Sequence, residues 1–323
     1  METIKLGLVG SGNMALQRVR RMAPSDDFDL IAVAARNPKT GPALANQFGA
    51  AHTSDWRELI DREDIDAVVI TTHNALHGPI AIAALESGKH VLSEYPACRT
   101  IEEANRLREL VSSAEAVYCL THRETVSKQH ASLHQIVQSR GRLMSVNFKR
   151  MTPGRGTRPE VLFNLNLSGP PALFFVYHIY AQVDLFGPAA WVDSGANYND
   201  LKVDQGYQSF VNTVTAGFAG GGLAQWTWAG GIEILRAEES LELILTDGVL
   251  RREGDEWKDG KTGQLLDLSE DTDLEQALES HFYKMINGPG GDWRSDARKA
   301  LDATLIGLAA ETSALENRRV KLD

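Results

Sequence analysis

A chain of 323 residues is long enough for two domains of ordinary size, each with its own buried core. Its 43% hydrophobic and 24% charged content is that of a folded globular protein, which excludes a disordered or membrane-embedded class. A net charge of −10 leaves no basic footprint for nucleic acid or an anionic membrane surface, so neither is an expected partner.

No apolar run approaches the roughly 18 residues that span a bilayer. The chain passes from Met-Glu-Thr straight into an apolar stretch without a charged and apolar leader, so the expected location is the cytoplasm. The two cysteines, Cys98 and Cys119, are too few for a disulfide framework or a zinc cluster. They read as buried free thiols, and no metal is expected.

The run Lys5 to Ala15 reads as a strand, a tight turn and a helix start. Gly10 permits the turn, Gly12 lets backbone approach a pyrophosphate, and Ala15 is the third small position, where helix and strand pack closely. Ser11, Asn13 and Met14 complete the loop, and the N–H groups of the helix N-terminus favour an anion there. A helix from Met14 to about Met22 leads to a second strand, Phe28 to Ala34. After it stands Arg36, where a carboxylate would accept from the ribose 2′-OH of NAD(H). A guanidinium instead pairs with a 2′-phosphate, so NADP(H) is favoured over NAD(H).

A helix over Lys39 to Phe48, a strand over Ala51 to Asp55 and a short helix over Trp56 to Arg62 follow. The buried strand Ala67 to Ile70 ends in Thr71, Thr72, His73 and Asn74, with His77 just beyond and a helix from Ile80 to Ser87. Ligands of open parallel sheets bind at the carboxyl ends of strands, so these five polar residues are candidates for cofactor contact; His77 also suits a helix cap. A strand over Val91 to Ser93 ends at Glu94-Tyr95-Pro96, and helix Ile101 to Ser112 and strand Val117 to Leu120 complete a Rossmann unit.

The pattern then changes. A helix from Val126 to Gln138 is followed by strands at Leu143 to Lys149, Phe210 to Phe218, Gly222 to Trp228, Glu242 to Thr246 and Val249 to Arg252. The expected class is α/β: a Rossmann parallel sheet over residues 1–121, then an α+β domain over 122–323 with a largely antiparallel or mixed open sheet. The last helix, 296–316, is free to pack back on the first domain. The open face of the second sheet offers a surface for a homo-oligomer.

Over nearly its whole length the chain resembles the glucose-fructose oxidoreductase / inositol dehydrogenase (Gfo/Idh/MocA) family. The matching residues are Gly10-Ser-Gly12-Asn-Met, Asp66 to Asn74, His77, the run Ala83 to Val91, and Glu94-Tyr95-Pro96. In most members the last turn is Glu-Lys-Pro, with the lysine at the hydride-transfer site; here Tyr95 stands in its place. The family also has an Asp-x-Gly-x-His-x-x-Asp run before a Leu-Phe-Gly. Counted back from Leu185-Phe186-Gly187, the histidine falls on Tyr177, the first aspartate on Leu173, the glycine on Phe175 and the last aspartate on Tyr180.

Both departures resemble the biliverdin reductase-like branch, whose active-site arginine falls here on His178. The resemblance implies a small-molecule substrate, cofactor contacts that include Glu94, catalysis by Tyr95 and His178, and substrate contacts at Tyr177. Arg123, Lys149, Arg150, Arg155 and Arg158 are candidates for ligand carboxylates, Arg123 first, although a solvated face suits most of them. The expected function is an NAD(P)H-dependent reductase that delivers hydride to a conjugated C=C or C=N acceptor. A sugar or small-alcohol dehydrogenase and a non-catalytic NAD(P)-binding sensor are the alternatives.

Overall fold

The computed structural model describes residues 3–156, 158–254, 256–271, 273–288 and 291–322. The chain forms two compact units, one from Met1–Val126 and Thr272–Leu301, the other from Ser127–Asp271 and Asp302–Asp323.

In the first unit β1 (Ile4–Val9), β2 (Phe28–Ala34), β3 (Ala51–Thr53), β4 (Ala67–Ile70), β5 (His90–Ser93) and β6 (Tyr118–Leu120) form a parallel sheet in the order β3-β2-β1-β4-β5-β6. The intervening segments contain α1 (Asn13–Met22), α2 (Thr40–Gln47), α3 (Trp56–Ile60), α4 (His77–Glu86) and α5 (Ile101–Ser113). The central strands are apolar without alternation, as burial on both faces demands; Leu8, Val68 and Ile70 are all fully buried. The strand order reverses between β1 and β4, so the loops that follow them diverge and leave a crevice at their carboxyl ends. Helix α4 begins at His77 rather than Ile80, because Pro79 fits a first helical turn, where no N–H partner is needed.

The second unit opens with α6 (Lys128–Ser139), whose start is set by Ser127: its Oγ accepts from the His130 N–H at 2.9 Å. There follow β7 (Leu143–Thr152), the short turns α7 (Pro159–Leu162), α8 (Leu165–Ser168) and α9 (Pro171–Phe174), and α10 (Val176–Phe186). The strands β8 (Ala189–Asn199), β9 (Ser209–Phe218), β10 (Leu223–Gly230), β11 (Glu238–Leu245), β12 (Gly248–Glu253) and β13 (Glu256–Asp259) complete most of its sheet. Then α11 (Leu274–Asn287) returns to the first unit, the division between units falls within α12 (Trp293–Glu316), and β14 (Val320–Lys321) ends the described chain. The second sheet runs β13-β12-β11-β7-β10-β9-β8-β14 and is mixed, since β7 and β10 are parallel and the other pairs antiparallel.

Helix α10 docks on this sheet through two indoles. Trp226 and Trp228, on the same face of β10 and fully buried, donate their N–H groups to Gln182 Oε1 and His178 Nδ1, each at 3.1 Å. Gln182 and His178 lie one turn apart on α10, so the helix spacing matches the two-residue repeat of the strand. Among the described residues no helix is long and apolar enough to cross a membrane.

The larger elements that the sequence does not announce include β8 and α11, and the short β13 is another. β8 carries Asp193, Gly195, Asn197 and Asn199 on its exposed positions, and the small Ser194 and Ala196 stand between them, so its apolar alternation is faint. β13 is very short. α11 is amphipathic, and its ring of Phe282 stacks 6.5 Å from Phe28 while Tyr283 meets Phe28 edge-on at 5.6 Å. Truncation of the fully buried Phe282 to alanine is expected to destabilise the first unit by about 3–5 kcal/mol, read from the denaturant midpoint. A loss under about 1 kcal/mol would place α11 outside that core.

Candidate functional site

The loop after β1 is shaped by close backbone approach. Gly10 has φ +126°, and a Cβ there would lie 2.5 Å from Thr71 Oγ1 and 2.7 Å from the Thr71 carbonyl oxygen. Only glycine permits both the dihedral and the contact. Gly12 is the N-cap of α1 in an extended conformation, and no side chain caps the helix. Asn13 and Met14 are exposed beside it, while Ala15 is fully buried. Ser11 Oγ lies 2.7 Å from Thr40 Oγ1 at the start of α2, and Asn37 Oδ1 accepts from the N–H groups of Lys39 and Thr40. Arg36 is exposed, and its charge joins burial in holding His73 below the usual imidazole range.

At the end of β4, Thr71 donates its hydroxyl to the Val9 carbonyl at 3.1 Å and Thr72 donates to the His73 carbonyl at 3.2 Å. His73 Nδ1 is buried and has no hydrogen-bond partner among the described residues. Asn74 opens a single 3₁₀ turn. His77 differs from these: it is 1% exposed, with Nδ1 2.8 Å from the Pro96 carbonyl and Nε2 3.2 Å from the Thr72 carbonyl. It ties the β4 loop to the turn after β5, and burial holds its pKa below the usual value.

That turn, Glu94-Tyr95-Pro96, contains a cis Tyr95–Pro96 bond. The half-buried Tyr95 ring stacks on His122 at 5.2 Å, and burial holds His122 down at about 3, so the stacked imidazole is neutral. Both oxygens of Glu94 are engaged: Oε1 accepts from Arg18 Nε at 2.9 Å and Oε2 from Thr121 Oγ1 at 2.6 Å.

Arg18 is the centre of a buried network that the sequence reading missed. Its side chain is 2% exposed, and Nη1 reaches Glu275 Oε2 at 2.7 Å and Glu279 Oε1 at 3.5 Å on α11. Despite burial, which opposes the charge, Glu94 and Glu275 raise the guanidinium pKa above its usual value. Burial pushes the Glu279 carboxyl up to about 7, because Arg18 is already shared with two other carboxylates. Arg123 belongs to the same cluster, with Nη2 2.6 Å from Glu275 Oε1. The available signal was the phase of α1: Arg18 shares the buried face of Ala15, Val19 and Met22, where a charge requires a counter-charge.

In the second unit, Tyr177 is half-buried and its ring lies 4.0 Å from that of His178. His178 Nδ1 accepts the Trp228 N–H, which places the ring proton on Nε2, 3.6 Å from Glu239 Oε2. Burial holds His178 down at about 4, so the ring is neutral at pH 7. Although burial pushes Glu239 up, His178, Arg252 and Arg150 together hold it down at about 2.

A family model described as an oxidoreductase family with an NAD-binding Rossmann fold matches residues 4–122. Over these residues the chain matches the model of the Gfo/Idh/MocA family. Levoglucosan dehydrogenase of Pseudarthrobacter phenanthrenivorans is 37% identical over 127 residues, 36% of this chain and 33% of that one. A dTDP-3,4-didehydro-2,6-dideoxy-alpha-D-glucose 3-reductase of Streptomyces violaceoruber is 35% identical over 111 residues, 34% of this chain and 32% of that one. The chain therefore matches about a third of the length of these curated relatives.

Among solved structures, biliverdin reductase of Synechocystis in complex with biliverdin and NADP+ matches with a TM-score of 0.85, over 96% of this chain and 98% of that one, at 22% identity. Levoglucosan dehydrogenase in complex with NADH and levoglucosan matches with a TM-score of 0.75 over 99% of each chain, at 19% identity. Both bear out the expected α/β fold. The glycine cradle, the uncapped start of α1 and the orphaned His73 Nδ1 fit a bound dinucleotide.

Two measurements test the network. Arg18→Met strands three carboxylates and is expected to destabilise the first unit by about 3–5 kcal/mol. A Glu279 pKa raised from 4.5 to about 7 contributes stability that is full below 4.5 and lost as pH rises through 7. Glu279→Gln is expected to remove that decline from the stability–pH curve, and an unchanged curve would reject the assignment.

Proposed function

We propose that the protein is an NAD(P)-dependent oxidoreductase and, within that class, a reductase that uses NADPH to reduce a conjugated C=C or C=N acceptor, with biliverdin the named candidate. The observation that carries the reading is the side-chain set where the family dehydrogenates alcohols. Tyr95 replaces the lysine of the Glu-Lys-Pro turn, and Leu173, Phe175, Tyr177 and Tyr180 replace the Asp-x-Gly-x-His-x-x-Asp residues. Removing a proton from a hydroxyl needs a base, and none of these is an ordinary base at pH 7. Reduction of a conjugated acceptor needs the opposite, a neutral group that can give a proton.

In the first unit the N-terminus of α1, with Gly10, Ser11, Gly12, Asn13 and Met14, would hold the pyrophosphate. Arg36, exposed just beyond β2, would take the 2′-phosphate, which is the basis for preferring NADPH. Thr71, Thr72, His73 and Asn74 line the β4 end of that cleft, and His77 and Glu94 act one step back by fixing its two turns. When bound, NADPH supplies the hydride. A phenol is ordinarily neutral at pH 7 and donates a hydrogen bond, so Tyr95 is assigned the proton. Neutral His178 keeps its Nε2 proton towards Glu239 and orients α10 through Trp228.

The second reading, a sugar or small-alcohol dehydrogenase, is favoured by the names of the relatives matched over the first unit. It is disfavoured by the missing base.

NADPH mixed with the protein and biliverdin is expected to bleach the green chromophore. No change across roughly pH 5 to 8 with NADPH bound would reject the reading. Turnover of a polyol panel with NADP⁺ would favour the second reading, and tight cofactor binding without turnover on either would indicate a sensor. Tyr95→Phe is expected to lower kcat roughly 100-fold without weakening NADPH. Arg36→Glu is expected to weaken NADPH roughly 100-fold and leave NADH nearly unchanged. Equal losses for both nucleotides would show that Arg36 does not read the 2′-phosphate.

A further inference from the structure

One face of the second-unit sheet brings two arginines to a single carboxylate. Glu239 on β11 is directly paired in register with Arg150 on β7, and Arg252 lies on the next strand, β12, opposite Leu241. One oxygen of Glu239 accepts from Arg150 Nη1 and the other from Arg252 Nη2. The Nε–H groups of both arginines are buried without a hydrogen-bond partner among the described residues. The arginine side chains are 32% and 25% exposed, so part of each guanidinium reaches solvent. In a chain of net charge −10, this is a local excess of positive charge with unused donors.

An aromatic surface adjoins the pair. His178, whose Nε2 is 3.6 Å from Glu239, lies 4.4 Å from the Phe148 ring, 4.0 Å from Tyr177 and 5.8 Å from Phe175. Phe175 stacks on Trp228 at 6.3 Å with an 11° interplanar angle, and Phe175 and Tyr177 are only half-buried. Flat, partly accessible rings beside a guanidinium pair suit a planar ligand that carries an anion.

We propose that Arg150 and Arg252, with the rings beside them, form a subsite on the second unit for the carboxylate of a planar ligand. Glu239 is its fixed counter-ion: it holds the two guanidiniums together while their outer N–H groups take the ligand carboxylate. The choice of a conjugated probe rests on the reductase reading above; the anion subsite is tested separately from it.

The test uses the full chain loaded with NADPH and two matched pairs of probes: biliverdin with its dimethyl ester, followed by absorbance, and trans-cinnamate with trans-cinnamamide, followed by calorimetry. Each acid is expected to bind at least about tenfold tighter than its neutral partner. Arg150→Met and Arg252→Met are each expected to remove most of that preference, and Arg252→Lys to keep part of it. Glu239→Gln is expected to strengthen the acids several-fold and leave the neutral probes unchanged, whereas a purely structural ion pair predicts weaker binding of all four. Should the methionine variants fail to fold, the lysine and glutamine variants decide.

Equal binding of acid and neutral probes overturns the subsite, as does an acid preference that survives in both methionine variants, or no binding of any probe. Biliverdin that binds with the acid preference but is never reduced leaves the subsite standing and removes the reductase reading. Biliverdin and its ester bound and reduced alike do the reverse.

Discussion

Arg18 sits inside the first unit with its side chain almost entirely removed from water, where an isolated guanidinium carries a desolvation penalty of several kcal/mol. What makes it tolerable is that carboxylates come to it from two directions, Glu94 from the end of β5 and Glu275 and Glu279 from α11. The helix whose N-terminus suits the pyrophosphate is thereby bonded to the turn that carries Tyr95. Thr121, at the end of β6, holds the other oxygen of Glu94, so the turn is fixed on both sides. His77 completes the frame by joining the β4 loop to Pro96. Much of the candidate cofactor site is positioned by groups that do not themselves point into it.

The second unit follows a related logic with weaker charges. Two buried indoles need acceptors, and α10 supplies them as Gln182 and His178. This satisfies the indole donors and fixes the tautomer of His178. The same histidine then faces Glu239, whose negative charge is secured by two arginines. A residue that looks in sequence like a free acid–base group is in the fold a neutral spacer between an aromatic wall and an ion cluster.

What could be read from the sequence was whatever has a short-range signature. The glycine turn, the unbroken apolar strands and the end of β2 all depend on neighbours within one unit of strand and helix. The mixed character of the second sheet was visible as a change of pattern, but β8 was not, because the small Ser194 and Ala196 between its exposed Asp193, Gly195 and Asn197 leave only a faint apolar alternation. The site residues were legible where backbone geometry requires them, as at Gly10. They were illegible where partners come from far along the chain: Arg18 and Glu279 are 261 positions apart. The phase of α1 shows that Arg18 must be paired, but nothing local says with what. Likewise the solvent exposure of Arg36 follows from its place after β2, whereas the burial of His178 depends on Trp228 and Glu239 from other strands.

The first unit takes α11 from beyond all but the last of the second unit's strands, and this has a consequence for biosynthesis. On a ribosome adding roughly 5–20 residues per second, the parallel sheet emerges on the order of ten seconds before Glu275 and Glu279. Throughout that interval Glu94 is the only one of the three carboxylate partners of Arg18 to have been translated. The first unit is therefore the first to be started, and it cannot be completed until all but the last strand of the second has been translated.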